Sequence, residues 1–154
     1  MGDICLYVST QKIDLVSALI RDRTECDWSH IGFFRLSDRM TYSAMCDGKG
    51  VSWRVLLPDQ EIMLLDVDDE AALQRAFGLA LAEEGKPYDE LDIAGIALGA
   101  NWCAPHHFIC STLVLDKFER AGYPLLGMWA IPLFHMSPRD CLLSPKIRKR
   151  LVTT

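Results

Sequence analysis

Four strand-forming runs separated by short, turn-rich breaks constrain this chain more than any other feature. "HIGFFRL" (30–36), "MTYSAM" (40–45), "GVSWRVLL" (50–57) and "EIMLLDV" (61–67) follow one another, with "SDR", "CDGKG" and "PDQ" between them. Val, Ile, Phe, Tyr and Trp suit a pleated, half-buried surface, whereas Gly, Pro, Asp and Ser mark turns. Connections this short join antiparallel neighbours, so the segment reads as an antiparallel meander.

The flanking sequence adds one strand and several helices. "DICLYVS" (3–9) alternates like a strand, and "KIDLVSALIRDR" (12–23) carries Leu15, Val16, Leu19 and Ile20 at helical spacing. "VDDEAALQRAFGLALAEEG" (67–85) has acids where a helix N-terminus favours them. Its apolar stripe runs through Leu73, Ala76, Phe77, Ala80 and Leu81, and Gly85 is placed to stop it. Two further helices are predicted. "YDELDIAGIAL" (88–98) follows the breaker "GKP", with Tyr88 and Asp89 at its start, and "CSTLVLDKFERAG" (110–122) places Leu113, Val114, Phe118 and Ala121 on one face before Gly122. Segregated strands and helices of this kind indicate an α+β domain.

No internal repeat, low-complexity linker or break in composition divides residues 1–154, which read as one domain. A chain of 154 residues can remove about 70% of its unfolded surface from water. No apolar run approaches the roughly 18 residues of a membrane span, and "MGDICLYVST" lacks the pattern of a secretory signal, so a cytoplasmic location is expected. The net charge of −5 argues against nucleic acid as a partner, because phosphate neutralisation needs a basic face. The one dense basic run, "KIRKR" (146–150), reads as a solvated tail. The six cysteines, Cys5, Cys26, Cys46, Cys103, Cys110 and Cys141, are expected as reduced thiols.

Chemistry is sought among the cysteines and histidines. Cys110 opens a predicted helix, where unpaired backbone N–H groups and the helix dipole favour a thiolate. His30 heads a strand, a setting that holds an imidazole in a defined orientation for use as a base. The residues themselves leave a second reading open, in which Cys110 is a small buried apolar residue and His30 a satisfied strand-end group. "CAPHHFIC" also gathers Cys103, His106, His107 and Cys110 within eight residues, which invites a zinc reading. The spacing matches no common zinc pattern and Pro105 breaks any single helical face, so no metal or other cofactor is expected. His106 and His107 are rival bases on a Pro-containing approach to the helix, and His135 is expected to be structural. Trp28, Trp53, Trp102 and Trp129 are expected in the core and at its rim, with Trp28 and Trp102 close enough in sequence to His30 and Cys110 to line a groove.

Five stretches carry a resemblance: "SALIRDRTECDWSHIGFF", "YSAMCDGKGVSWRV", "GKPYDELDIAGIAL", "FICSTLVLDKFERAG" and "MSPRDCLLSP". In this order they resemble the circularly permuted NlpC-type, papain-fold cysteine hydrolases of the YiiX and YebB-like group, over most of the chain. In that family the histidine of a "SHxG" strand precedes the cysteine of a "CSxLV" helix, and both motifs stand here, at His30 and Cys110. The resemblance implies a papain-like α+β fold, with an antiparallel sheet or open barrel packed against the cysteine-bearing helix. It implies Cys110 as nucleophile and His30 as general base in a thioester mechanism on an amide or ester.

The family usually orients the imidazole with a polar, often acidic, residue on the next strand. The corresponding stretch here, "MTYSAMCDG", offers Ser43, with Thr41 and Asp47 as alternatives. Murein peptides or lipid-like acyl groups are the substrate classes the resemblance suggests. A murein substrate lies outside the cytosol, so either an internal acyl substrate or delivery by phage lysis, injection or assembly is implied. The alternative function is a binding or structural domain of the same fold without activity.

Overall fold

The computed structural model describes residues 4–10, 15–56, 58, 60–98, 100, 106–127 and 136–152. Its centre is a six-stranded antiparallel sheet made of β1 (Ile4–Ser9), β2 (His30–Arg35), β3 (Met40–Met45), β4 (Gly50–Val55), β5 (Ile62–Val67) and β6 (Ile147–Val152). The strand order is β4-β3-β2-β1-β5-β6. The helices are α1 (Leu15–Thr24), α2 (Glu70–Leu81), α3 (Glu90–Leu98), α4 (Cys110–Arg120) and α5 (Pro138–Leu142).

The meander holds for β2, β3 and β4, but β5 leaves it and lies beside β1 on the other side of the sheet. This corrects the expectation of four consecutive neighbours. Ser9, Tyr7 and Leu6 of β1 pair with Ile62, Leu64 and Leu65. β1 is thereby covered on both edges, and Leu6, Tyr7 and Val8 are buried. The basic run near the C-terminus is not a solvated tail: it forms β6, the outer strand next to β5. Charged side chains on an edge strand oppose pairing with a further chain.

Cross-strand partners share a face of the sheet and successive residues alternate between faces. One face is therefore Leu6 and Val8 of β1, Ile31 and Phe33 of β2, and Tyr42 and Ala44 of β3, and it packs with α2 and α4 into the main core. Phe33 lies 5.3 Å from Phe77 of α2 and stacks on Phe118 of α4 at 6.3 Å, centroid to centroid. The other face carries Cys5, Tyr7, Phe34, Ile62 and Leu64, with Leu56 folded over it in a smaller apolar cluster.

The predicted helices are observed, with ends set by local chemistry. Asp69 caps α2 by accepting the Ala72 amide at 2.9 Å, and Asp89 does the same for the start of α3 from Asp92 at 2.9 Å. Gly122 ends α4 with φ +76, in the left-handed region that glycine enters without steric penalty. α1 and α3 pack together, with Ile20, Ile93 and Ile109 in a separate small cluster. α5 was not legible in the sequence; Ser137 and Asp140 form its N-terminal cap.

Candidate functional site

His30 is the first residue of β2, and its position on the pleat directs it to the face that α2 and α4 do not cover. Ser43 of β3 points to the same face. His30 Nε2 and Ser43 Oγ are 2.8 Å apart, and both residues are buried. Of the three candidates for orienting the imidazole, the structure thus brings Ser43 to it.

Asp47 is engaged elsewhere, in a two-pronged pair with Arg54 at 2.6 and 2.7 Å. The Arg54 guanidinium holds the Asp47 carboxyl below the usual carboxylate range. Thr41 donates its hydroxyl to the Arg54 carbonyl at 3.4 Å.

The glycine of the "SHIG" stretch explains how the ring reaches Ser43. Gly32 stands opposite Tyr7 in the β1–β2 pairing. A β-carbon on Gly32 would lie 2.8 Å from Ser43 Cβ, 2.8 Å from the Tyr42 carbonyl oxygen and 3.1 Å from Tyr7 Cε1. The missing side chain leaves a gap on the middle strand. Tyr7 from β1 and Ser43 from β3 close around it, and the Tyr7 ring lies 6.0 Å from that of His30. Burial raises the Tyr7 pKa well above the usual tyrosine range, against the neighbouring Thr41 and Ser43 hydroxyls, which favour the tyrosinate.

Cys110 reaches β2 from the opposite face, at the head of α4 in the main core. Its side chain is 2% exposed, and its thiol lies within hydrogen-bond reach of the Ile31 amide, one residue past His30. Thr112 accepts the Ile109 amide at 3.1 Å and secures the start of the helix, while Ser111 Oγ donates to the Met136 carbonyl. Among the described residues no hydrogen bond joins Cys110 directly to His30.

Burial pushes the Cys110 thiol up to about 11, against amide hydrogen bonds from Ile31, Ser111 and its own backbone that favour the thiolate. This reverses the expectation of a thiolate at the helix N-terminus. Desolvation outweighs the amides in so closed a site. Burial also pulls His30 down to about 3, with the Arg54 charge a smaller contribution in the same direction. Both groups are uncharged at neutral pH.

A cavity of ≈ 100 Å³ opens beside His30, lined in part by Tyr7, Ser9, Thr41, Arg54 and Gln60. Ser9 faces His30 across the β1–β2 pairing, and its buried hydroxyl has no hydrogen-bond partner among the described residues. Tyr7, Gly32 and Arg54 are parts of this constellation that the sequence did not flag. The alternation of Cys5, Tyr7 and Ser9 could have marked Tyr7 as lying off the main core face, but no local signal gives its reach to β3.

His106 is exposed with φ +61, and His107 is half-buried just ahead of α4. Cys103, Trp102, Trp129 and His135 lie outside the described residues, whereas Trp28 and Trp53 pack at the rim of the main core. The five cysteines among the described residues are free thiols.

A mixed α+β protein with an open antiparallel sheet, a cysteine at the head of the helix packed on it and a His–Ser pair on the neighbouring strands is the class that fold and site define. Its fold is that of YiiX: the crystal structure of the metalloprotein yiiX from Escherichia coli O157:H7 matches with a TM-score of 0.69 at 15% sequence identity, covering 96% of each chain. No protein-family model matches the sequence, and no curated protein matches it. That neighbour is called a metalloprotein. In the present chain no three His, Cys, Asp or Glu side chains among the described residues gather where they could hold a metal ion. No helix of the described residues is long and apolar enough to cross a membrane.

Proposed function

We propose that this protein is a cysteine hydrolase or acyltransferase of the permuted NlpC-type, papain-like kind, acting on an amide or ester. The observation that carries this reading is that Cys110 and His30 bear on adjacent residues of β2, from the two faces of that strand. The thiol is on the Ile31 amide, and the imidazole of the preceding residue is fixed by Ser43 through Nε2. With Nε2 engaged, Nδ1 is the nitrogen left to take a proton.

In this mechanism the thiol proton passes to His30 Nδ1 as Cys110 Sγ attacks the carbonyl carbon. The developing oxyanion is met by backbone N–H groups at the head of α4, and the imidazolium then protonates the leaving amine or alcohol. Water or an acceptor amine, activated by the neutral imidazole, resolves the thioester. Because both groups start uncharged, proton transfer accompanies attack and does not precede it. Murein-type peptides and lipid-like acyl groups are the substrate classes proposed, in the cytoplasm or after delivery from it.

Trapping of the acyl-enzyme tests the reading. Incubation with activated aryl esters and thioesters, followed by intact-mass and peptide mapping, is expected to place one acyl group on Cys110. Cys110→Ala removes it and His30→Ala slows its formation. Acylation confined to other cysteines, or none across the panel, overturns the proposal.

A second reading, a binding or structural domain without activity, is favoured by the uncharged state of the pair in the closed site. The same trapping experiment separates the two.

A further inference from the structure

We propose that the cavity beside His30 is a binding site for a small uncharged amide, held by the Ser9 hydroxyl and the His30 imidazole. Ser9 of β1 and His30 of β2 stand opposite each other in the strand pairing, and both line the cavity. The buried Leu56 and Gln60, from the connection between β4 and β5, line it as well. Ser9 is 1% exposed, and its hydroxyl has no hydrogen-bond partner among the described residues. A buried hydroxyl without a partner is costly, so one that borders a cavity offers its bond to a ligand.

The lining selects against an ion. A guanidinium has five N–H hydrogens, and those of Arg54, the cation in the lining, all have acceptors. Nε and Nη2 donate to Asp47 at 2.7 and 2.6 Å, Nη2 also to the Gly50 carbonyl at 2.9 Å, and Nη1 to the Ser43 and Ser52 carbonyls at 3.3 and 3.0 Å. With that charge balanced and its donors spent, a carboxylate in the cavity would be desolvated without a cation to pair with it.

The polar groups select an amide among uncharged ligands. Ser43 engages His30 Nε2 at 2.8 Å, which leaves Nδ1 for the ligand. In a neutral imidazole that nitrogen donates or accepts according to the tautomer, and the Ser9 hydroxyl does either. A carboxamide carries N–H and C=O on one planar group and meets both tautomers; a ketone, which only accepts, does not. Size sets the upper limit. A cavity of about 150 Å³ takes benzene, so one of ≈ 100 Å³ suits about four non-hydrogen atoms, the size of acetamide. Cys110 lies in the main core, on the other face of β2. The strand separates the cavity from the thiol, and the amide site stands independently of the acyl-transfer reading.

Titration of ¹⁵N-labelled protein with acetamide, acetate and acetone, followed by backbone amide shifts, tests the site. Acetamide is expected to give saturable shifts centred on Ser9, His30 and Gln60, with acetate and acetone at least tenfold weaker. Ser9→Ala removes a hydroxyl that has no partner among the described residues, so the variant is expected to fold. It should weaken acetamide binding about fivefold, the worth of one neutral hydrogen bond. Cys110→Ala is expected to leave acetamide binding unchanged.

Absence of saturable shifts around Ser9 would mean that the cavity takes water only, and overturns the proposal. Acetate or acetone binding as tightly as acetamide, or full affinity in Ser9→Ala, also overturns it. Loss of acetamide binding in folded Cys110→Ala would put the amide at the thiol and refute the site beside Ser9.

Discussion

Gly32 and Ser43 approach so closely on adjacent strands that a β-carbon on the glycine would lie 2.8 Å from that of the serine. The Tyr42 carbonyl oxygen would be equally near, at 2.8 Å, and as backbone it has little freedom to withdraw. The His–Ser pair is therefore built around an absent side chain.

Gly32→Ala is expected to strain β2 against β3 and cost about 1–3 kcal/mol, the usual range for overpacking a tight interior. Urea unfolding would show it as a lower midpoint with an unchanged slope. An unchanged midpoint would mean that the strands separate more readily than the packing indicates.

Ser43→Ala is expected to lower the rate of Cys110 acylation about fivefold, since a neutral hydrogen bond contributes about 1 kcal/mol net. Asp47→Asn, which loses only the exposed pair with Arg54, is expected to leave that rate unchanged. If the aspartate variant were the slower one, the imidazole would be oriented from the turn and not from the strand.

Stability should fall on both sides of neutrality. The folded His30 pKa, about 3, lies below the ordinary value of 6.5. The unfolded chain therefore binds the extra proton between these values, and stability is lost as the pH falls through that window. The folded Cys110 pKa, about 11, lies above the ordinary value of 9.0. The unfolded thiol ionises first, so stability is lost again as the pH rises from 9 towards 11. Urea midpoints at pH 4.5, 7.5 and 10 check both limbs. His30→Gln should flatten the acid limb and Cys110→Ala the alkaline one.

Lys117 of α4 is 1% exposed, with Glu83 at 2.5 Å, Asp116 at 2.6 Å and the Phe108 ring beneath its ammonium at 4.8 Å. Glu83 follows α2, so this cluster ties the two helices of the core together just behind the cysteine. Lys117→Met leaves Glu83 with Lys86 as its remaining partner and is expected to cost about 1–3 kcal/mol. Adding Glu83→Gln should restore part of the loss, and thermal or urea unfolding of the single and double variants would show whether it does.

Local chemistry made much of the fold legible. The strands between residues 30 and 67 are short apolar runs bounded by turn formers, and α2 and α4 have apolar stripes with a cap or a glycine at their ends; such signals lie within a few residues of the structure they specify. β6 escaped because "KIRKR" has the charge of a tail, and an edge strand tolerates that charge. β5 was seen as a strand but misplaced, since a strand's periodicity does not name its neighbour.

The candidate site divides in the same way. The sequence by itself determined that a cysteine heads α4, that a histidine heads β2 and that hydroxyls follow on β3. Only the tertiary structure decided that Ser43, not Asp47, meets His30, and that Tyr7 crosses β2 through the gap at Gly32. It also decided that Cys110 is an uncharged thiol. The amides at a helix start are a local property that favours charge, whereas the desolvation that outweighs them is supplied by β1, β2 and the core packed around it, none of which lies near residue 110 in the chain.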